Sequence, residues 1–267
     1  MCRHLAWLGS ERTLAEVLVD PPFGLLHQSW EPRRQRHGRV NADGFGVGWY
    51  APAVRSEPAR YRRAVPMWTD ASFASFAGAV ASGCVLAAVR DATIGMPIEE
   101  TATAPFADGR LLLSHNGRVD SGVVAALLAG RPDAPVPDSR CDSAQLAALV
   151  WERTRAGRGL AEAVAEVVTT VGAKAAARAS ASAAGAEGPP TRLNLLVTDG
   201  DQIVATTWNE SLWYRAGPAG VLVASEPDNT DGDAPDAVGG SDVWVEVPNH
   251  RLLVADTREV TLSNLTL

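Results

Sequence analysis

Long apolar runs, clustered cysteines and basic tracts are all missing from this chain. No stretch approaches the roughly 18 consecutive apolar residues of a membrane-spanning helix, so no membrane partner is expected. The opening MCRHLAWLGSERT has no extended apolar segment of the signal-peptide kind, and a cytoplasmic protein is expected. Only three cysteines occur, Cys2, Cys84 and Cys141, too few and too widely spaced to announce a disulfide framework. Five histidines stand in no Cys/His spacing that would hold zinc, so neither a metal nor another cofactor is expected. Acidic residues outnumber basic ones, 31 to 24, and no basic run exceeds a few residues; nucleic acid is not an expected partner.

What is there is a chain of 267 residues, 46% apolar, enough for a substantial core. Residues 2–8 alternate loosely, placing Cys2, His4 and Ala6 on one strand face and Arg3, Leu5 and Trp7 on the other, with a stop at Gly9. A short helix is expected at 13–19, then a polar, arginine-rich loop to about 43. In FGVGWY (45–50) glycines alternate with large residues, which leaves one strand face open to close approach. Helix follows at 70–79, then strands at 84–90 and 110–114, the second ending at His115-Asn116-Gly117. Helices are read at 119–129, 142–155 and 159–180. Beyond 192, strands alternate with turns to the end of the chain. The low-complexity ASAAGAEGPP (181–190) and the acidic, glycine-rich 227–241 read as mobile segments. Early strands, central helices and late antiparallel strands suit an α+β layered sandwich.

Four positions carry chemistry. If Met1 is removed, Cys2 offers a thiol and, on the same residue, an α-amine whose ordinary pKa near 8 lets it act as the base; a cysteine on a buried strand is the plainer alternative. Arg90 ends an apolar strand, where its fork can take a carboxylate or pair with Asp91. Asn116-Gly117 offers amide and backbone donors for an oxyanion, or a plain hairpin turn. Asp142 begins a helix, either as a cap or as a carboxylate for a substrate ammonium.

Taken in order, these segments resemble the class II glutamine amidotransferase family of N-terminal-nucleophile hydrolases. VRDATIG is similar to that family's Arg-x-Ala-Thr-x-Gly segment, SHNGRV to its Asn-Gly segment and RCDSAQL to its Asp-Ser/Thr helix start. The first 155 residues carry the resemblance well, the later strands more loosely through VTDGDQIVATTW and VASEP. MCRHLAWLG, HQSWEPRRQRHGRVNADGFGVGWY and VASEP further resemble the stand-alone members that act in ergothioneine biosynthesis. The resemblance implies a single domain over residues 2–267 folded as a four-layer αββα sandwich. It implies cleavage of a small-molecule substrate, a γ-glutamyl conjugate of hercynylcysteine sulfoxide, without a cofactor. Cys2 would be the nucleophile, Asn116 and Gly117 the oxyanion donors, Arg90 with Thr93 the α-carboxylate site, and Asp142 the α-ammonium site. Ile94 departs from the family, where histidine is common. Trp30, Trp208 and Trp213 are candidates to face a trimethylammonium group. A glutaminase subunit feeding ammonia to a partner synthetase, and a catalytically silent γ-glutamyl-binding module, stand as the alternatives.

Overall fold

The computed structural model describes residues 2–181, 190–229 and 243–266. Thirteen strands and six α-helices appear among them in the order β1 (Arg3–Thr13), α1 (Leu14–Leu18), α2 (Leu25–Trp30), β2 (Gly44–Trp49), β3 (Ala59–Arg63), α3 (Ala71–Ala77), β4 (Ala81–Arg90), β5 (Phe106–Asp108), β6 (Leu111–Arg118), α4 (Ser121–Ala129), α5 (Asp142–Arg155), α6 (Leu160–Ala181), β7 (Arg192–Thr198), β8 (Ile203–Thr207), β9 (Trp213–Gly217), β10 (Gly220–Ala224), β11 (Val245–Glu246), β12 (Arg251–Ala255) and β13 (Val260–Asn264). The segments read as mobile lie, at 182–189 and 230–241, outside the described residues.

Two antiparallel sheets form. One runs β11-β9-β10-β1-β4-β2-β3, the other β13-β12-β8-β7-β6-β5. Period-2 alternation explains how they stack. On β1, Ala6 and Leu8 join Leu86, Leu112, Leu196 and Val223 in a core between the sheets. Leu5 and Trp7 point the other way and pack with Leu14, Leu18 and Phe73 of α1 and α3. Sheet two does the same, burying Leu113, Leu195 and Val197 against Leu146 of α5 and Val167 of α6. The layers are therefore helix, sheet, sheet, helix, as expected. Each fully buried Leu or Phe of these cores contributes about 1.5–3 kcal/mol.

The glycines of FGVGWY serve the inter-sheet approach. A Cβ on Gly46 would meet the Ala104 carbonyl and one on Gly48 the Leu112 side chain, so β2 can lie close to the second sheet only with these two positions bare.

Three boundaries differ from the sequence reading. Gly9 does not stop β1: the strand crosses it to Thr13, because Gly9 and Gly220 let β1 and β10 come together without side chains between them. Thr13 then starts α1 with a reciprocal capping box to Glu16. Asn116-Gly117 is not a turn; both residues lie inside β6, paired with Asn194 and Leu193 of β7. Asp142 is the first residue of α5 rather than its cap, which is Cys141. Helix α2 and strands β3 and β5 went unread, being short and, in ARYRR, almost wholly polar.

Candidate active site

Cys2 immediately precedes β1 and shares the inter-sheet face of His4 and Ala6. It is half-buried at the end of the sandwich. A small cavity of about 20 Å3 brings it together with Arg90 at the end of β4, Ser114 and His115 of β6, and Ser143 of α5. Both sheets and one helix thus contribute to a single spot. Arg90 is 8% exposed, and its Nη1 has no hydrogen-bond partner among the described residues. A buried guanidinium with an unused donor facing a cavity is suited to a carboxylate from outside the chain.

Asp142 and Thr93 lie next door. They line a larger cavity of about 570 Å3 with Met96, Val119, Gly172 and Trp208. Asp142 is held rigidly: its Oδ2 accepts from the Val119 N–H at 3.0 Å and its Oδ1 from the Ser143 N–H at 2.8 Å. Consecutive residues of α5 therefore join the two cavities, Asp142 facing the larger and Ser143 the smaller.

Asn116 and Gly117 line neither cavity. Asn116 lies on the inter-sheet face of β6 with Leu112 and Ser114, fully buried, and neither Nδ2 nor Oδ1 has a hydrogen-bond partner among the described residues. A buried amide left without partners costs about 1–3 kcal/mol. Gly117 is required by geometry, since a Cβ there would run into the Arg192 carbonyl of β7.

His115 and Ser143 are site residues that the sequence reading passed over. The His115 Nε2 lies 3.1 Å from the Arg192 carbonyl oxygen, which only accepts, so Nε2 carries the proton. Nδ1 then accepts from the Ser143 hydroxyl at 3.0 Å. Burial, opposed by Asp142 and by the bond to Arg192, lowers the His115 pKa and keeps the ring neutral. His4 is also neutral: burial first, then Arg3 and His115, push its pKa down to about 3, and its Nδ1 lies 3.2 Å from the Ser114 Oγ. The available signals were adjacency alone, His115 preceding Asn116 and Ser143 following Asp142.

A charged cluster beside Cys2 was also unread. Arg3 is fully buried, with its Nη1 3.8 Å from Glu226 Oε1, and Glu226 Oε2 accepts from the backbone N–H groups of Arg33 and Arg34 at 2.9 and 3.0 Å. On the second sheet, Arg192 Nε lies 2.9 Å from Glu210 Oε1. Burial raises the Glu210 pKa, against the pull of Arg3, Arg192, Arg36 and His37. A charged residue sharing a strand stripe with Leu5 and Trp7 was the one sequence sign of a buried arginine.

The three candidate tryptophans are not gathered. Trp208, stacked on His250 at 4.4 Å, lines the larger cavity. Trp30 is 40% exposed and edge-on to Trp68, and Trp213 carries the Arg34 guanidinium over its ring at 4.7 Å. Ile94 is fully exposed. Among the described residues no three His, Cys, Asp or Glu come together as a metal site, and no helix is long and apolar enough to cross a membrane.

No family model matches the chain. A solved structure of a glutamine aminotransferase class-II domain protein from Silicibacter pomeroyi has the same fold, with a TM-score of 0.65 over 100% of both chains at 22% identity. The γ-glutamyl-hercynylcysteine sulfoxide hydrolase of Mycolicibacterium smegmatis is 46% identical over 265 residues, 99% of this chain and 100% of that protein. The protein of the same name from Mycobacterium tuberculosis is 42% identical over 99% of this chain and 97% of its own length. Identity of that degree, carried from end to end of both partners, places the chain in a family: it belongs to the γ-glutamyl-hercynylcysteine sulfoxide hydrolases.

Proposed function

We infer that this protein hydrolyses the γ-glutamyl amide of γ-glutamyl-hercynylcysteine sulfoxide, releasing glutamate and hercynylcysteine sulfoxide. The observation that carries the reading is full-length identity of 42–46% to hydrolases of that name. The meeting of Cys2 and Arg90 at one cavity supports it.

The residues divide the work as follows. With Met1 removed, the α-amine of Cys2 takes the proton of its own thiol. The thiolate attacks the γ-carbonyl carbon, and the oxyanion is met by the Asn116 side-chain N–H and the Gly117 backbone N–H. One such donor is typically worth about 2.7–4 kcal/mol in the transition state. The C–N bond breaks as the ammonium gives its proton to the leaving amine, and a γ-glutamyl thioester remains. Water, deprotonated by the same amine, cleaves the thioester and releases glutamate. Arg90, with Thr93, holds the α-carboxylate and Asp142 the α-ammonium, so that two opposite charges specify a γ-linked glutamyl group. None of these steps uses a metal or an organic cofactor.

The test compares kcat/KM on γ-glutamyl-hercynylcysteine sulfoxide with that on glutamine, using enzyme whose intact mass shows loss of Met1. The large leaving group supplies binding energy that ammonia cannot, so the conjugate should be cleaved much faster. Equal or faster turnover of glutamine would overturn the assignment in favour of an ammonia-supplying subunit. Full activity with Met1 in place would overturn the role of the Cys2 amine.

A further inference from the structure

We propose that Arg3, held by Glu226, is a positioning residue whose charge keeps the freed α-amine of Cys2 unprotonated and ready to act as the base. The proposal rests on the reading of Cys2 given above. Its first support is placement. Arg3 follows the nucleophile directly, has no exposure at all, and lies within electrostatic range of Cys2. Its second support is that the geometry is poor for stability. The pair with Glu226 is 3.8 Å long, and none of the three guanidinium nitrogens has a hydrogen-bond partner among the described residues. A buried ion pair without good hydrogen bonds is no more stable than an apolar pair of the same volume. Leu5 and Trp7, on the same face of β1, show that an apolar side chain packs well there. A guanidinium at position 3 therefore needs a reason other than stability, and the group beside it is the nucleophile.

The remaining charges at this end of the sandwich do not substitute for it. His4 and His115 are neutral because burial lowers both. Arg192 lies 2.9 Å from Glu210, which offsets it. Arg36 and His37, from the loop after α2, act on Glu210 as well. Arg90 is a buried arginine lining the Cys2 cavity, and in the proposed mechanism the substrate carboxylate neutralises it. Glu226 sets the strength of the Arg3 field and also ties the Arg33-Arg34 backbone over it.

The pair makes a prediction of opposite signs. Removing the positive charge with Arg3→Gln raises the affinity of the amine for its proton. Removing the negative charge with Glu226→Gln lowers it, while the new amide oxygen still accepts from Arg33 and Arg34. The acid limb of kcat/KM reports the base of the free enzyme. Arg3→Gln should move that limb to higher pH and Glu226→Gln to lower pH, each by roughly one unit. A purely structural pair would lower activity in both variants without moving the limb in opposite directions. Shifts of the same sign, or no shift, would overturn the proposal. If Arg3→Gln does not fold, Glu226→Gln decides alone, a downward shift supporting the proposal and an unmoved limb refuting it. Wild-type enzyme and Cys2→Ala are assayed first. Turnover by Cys2→Ala would refute the Cys2 reading itself, separately from the role of Arg3.

Discussion

Asn116 and Asn194 face each other across β6 and β7, both fully buried, and only one of them is used by the fold. Asn194 donates from Nδ2 to the carbonyls of Glu210 and Ser211 at 3.1 and 3.2 Å, and its Oδ1 accepts from the Trp208 N–H at 2.7 Å. Asn116 makes no such bond among the described residues. Asn116→Ala removes an unpartnered amide, relieving about 1–3 kcal/mol of desolvation, and leaves a void costing about the same. Stability should change by no more than about 1 kcal/mol, a Tm shift within about 3 °C. Asn194→Ala removes three hydrogen bonds at about 1 kcal/mol each and strands their partners, so it should cost about 3 kcal/mol or more. Activity should divide the other way. If Asn116 meets the oxyanion, its loss lowers kcat by about 10²–10³-fold with little change in KM. Urea or thermal unfolding beside steady-state kinetics on the γ-glutamyl conjugate reads both quantities. An Asn116→Ala enzyme that is strongly destabilised yet turns over normally would refute the reasoning, because the amide would then be a structural one.

Three other outcomes are expected. Cys84 is buried, its pKa pushed up to about 12 mainly by burial, and Cys141 is buried and raised as well; iodoacetamide on the folded, Met1-free enzyme should therefore label Cys2 first and abolish turnover, with the labelled site read by peptide mass spectrometry. His4 is neutral in the fold with a pKa of about 3 against 6.5 unfolded. Its contribution is thus fully present above pH 6.5 and is lost as pH falls toward 3, by about 1.4 kcal/mol per unit at most. His4→Gln should flatten that acid slope in urea melts at pH 4–7, and an unchanged slope would show that other groups set it. Arg90→Ala should raise KM about 10–100-fold on every γ-glutamyl substrate alike, as loss of a charged hydrogen-bond pair does; an effect confined to one leaving group would move Arg90 to the other side of the scissile bond.

The layer order was legible because it follows from short-range pattern. Period-2 alternation in residues 2–8 placed Cys2, His4 and Ala6 together, and the structure keeps His4 and Ala6 on the inter-sheet face with Cys2 at its end. The central helices and late strands were equally plain. What escaped depended on partners distant in sequence. Gly9 reads as a stop until Gly220 lies against it. A turn at Asn116-Gly117, the alternative to an oxyanion site, stays open until Asn194 and Leu193 pair with it. The Arg3–Glu226 pair joins residues from opposite ends of the chain, and no local window contains both. Within the candidate site, Cys2 and Arg90 were named and are found together. Asp142 and Thr93 were named and line the adjoining cavity, whereas His115 and Ser143 emerge only once α5 packs on β6.

The place of β1 in its sheet has a consequence for the timing of synthesis. The strand that follows Cys2 is flanked by β4 on one side and β10 on the other. Its partners Val85–Val89 emerge from the ribosome early, but Gly220–Ala224 emerge only after most of the chain has been made. Until then the stretch Leu5–Gly9 of β1 has unpaired N–H and C=O groups along the edge that will meet β10. The first strand of the nascent chain is therefore exposed to edge-to-edge pairing for most of synthesis, and the arrival of β10 ends that interval.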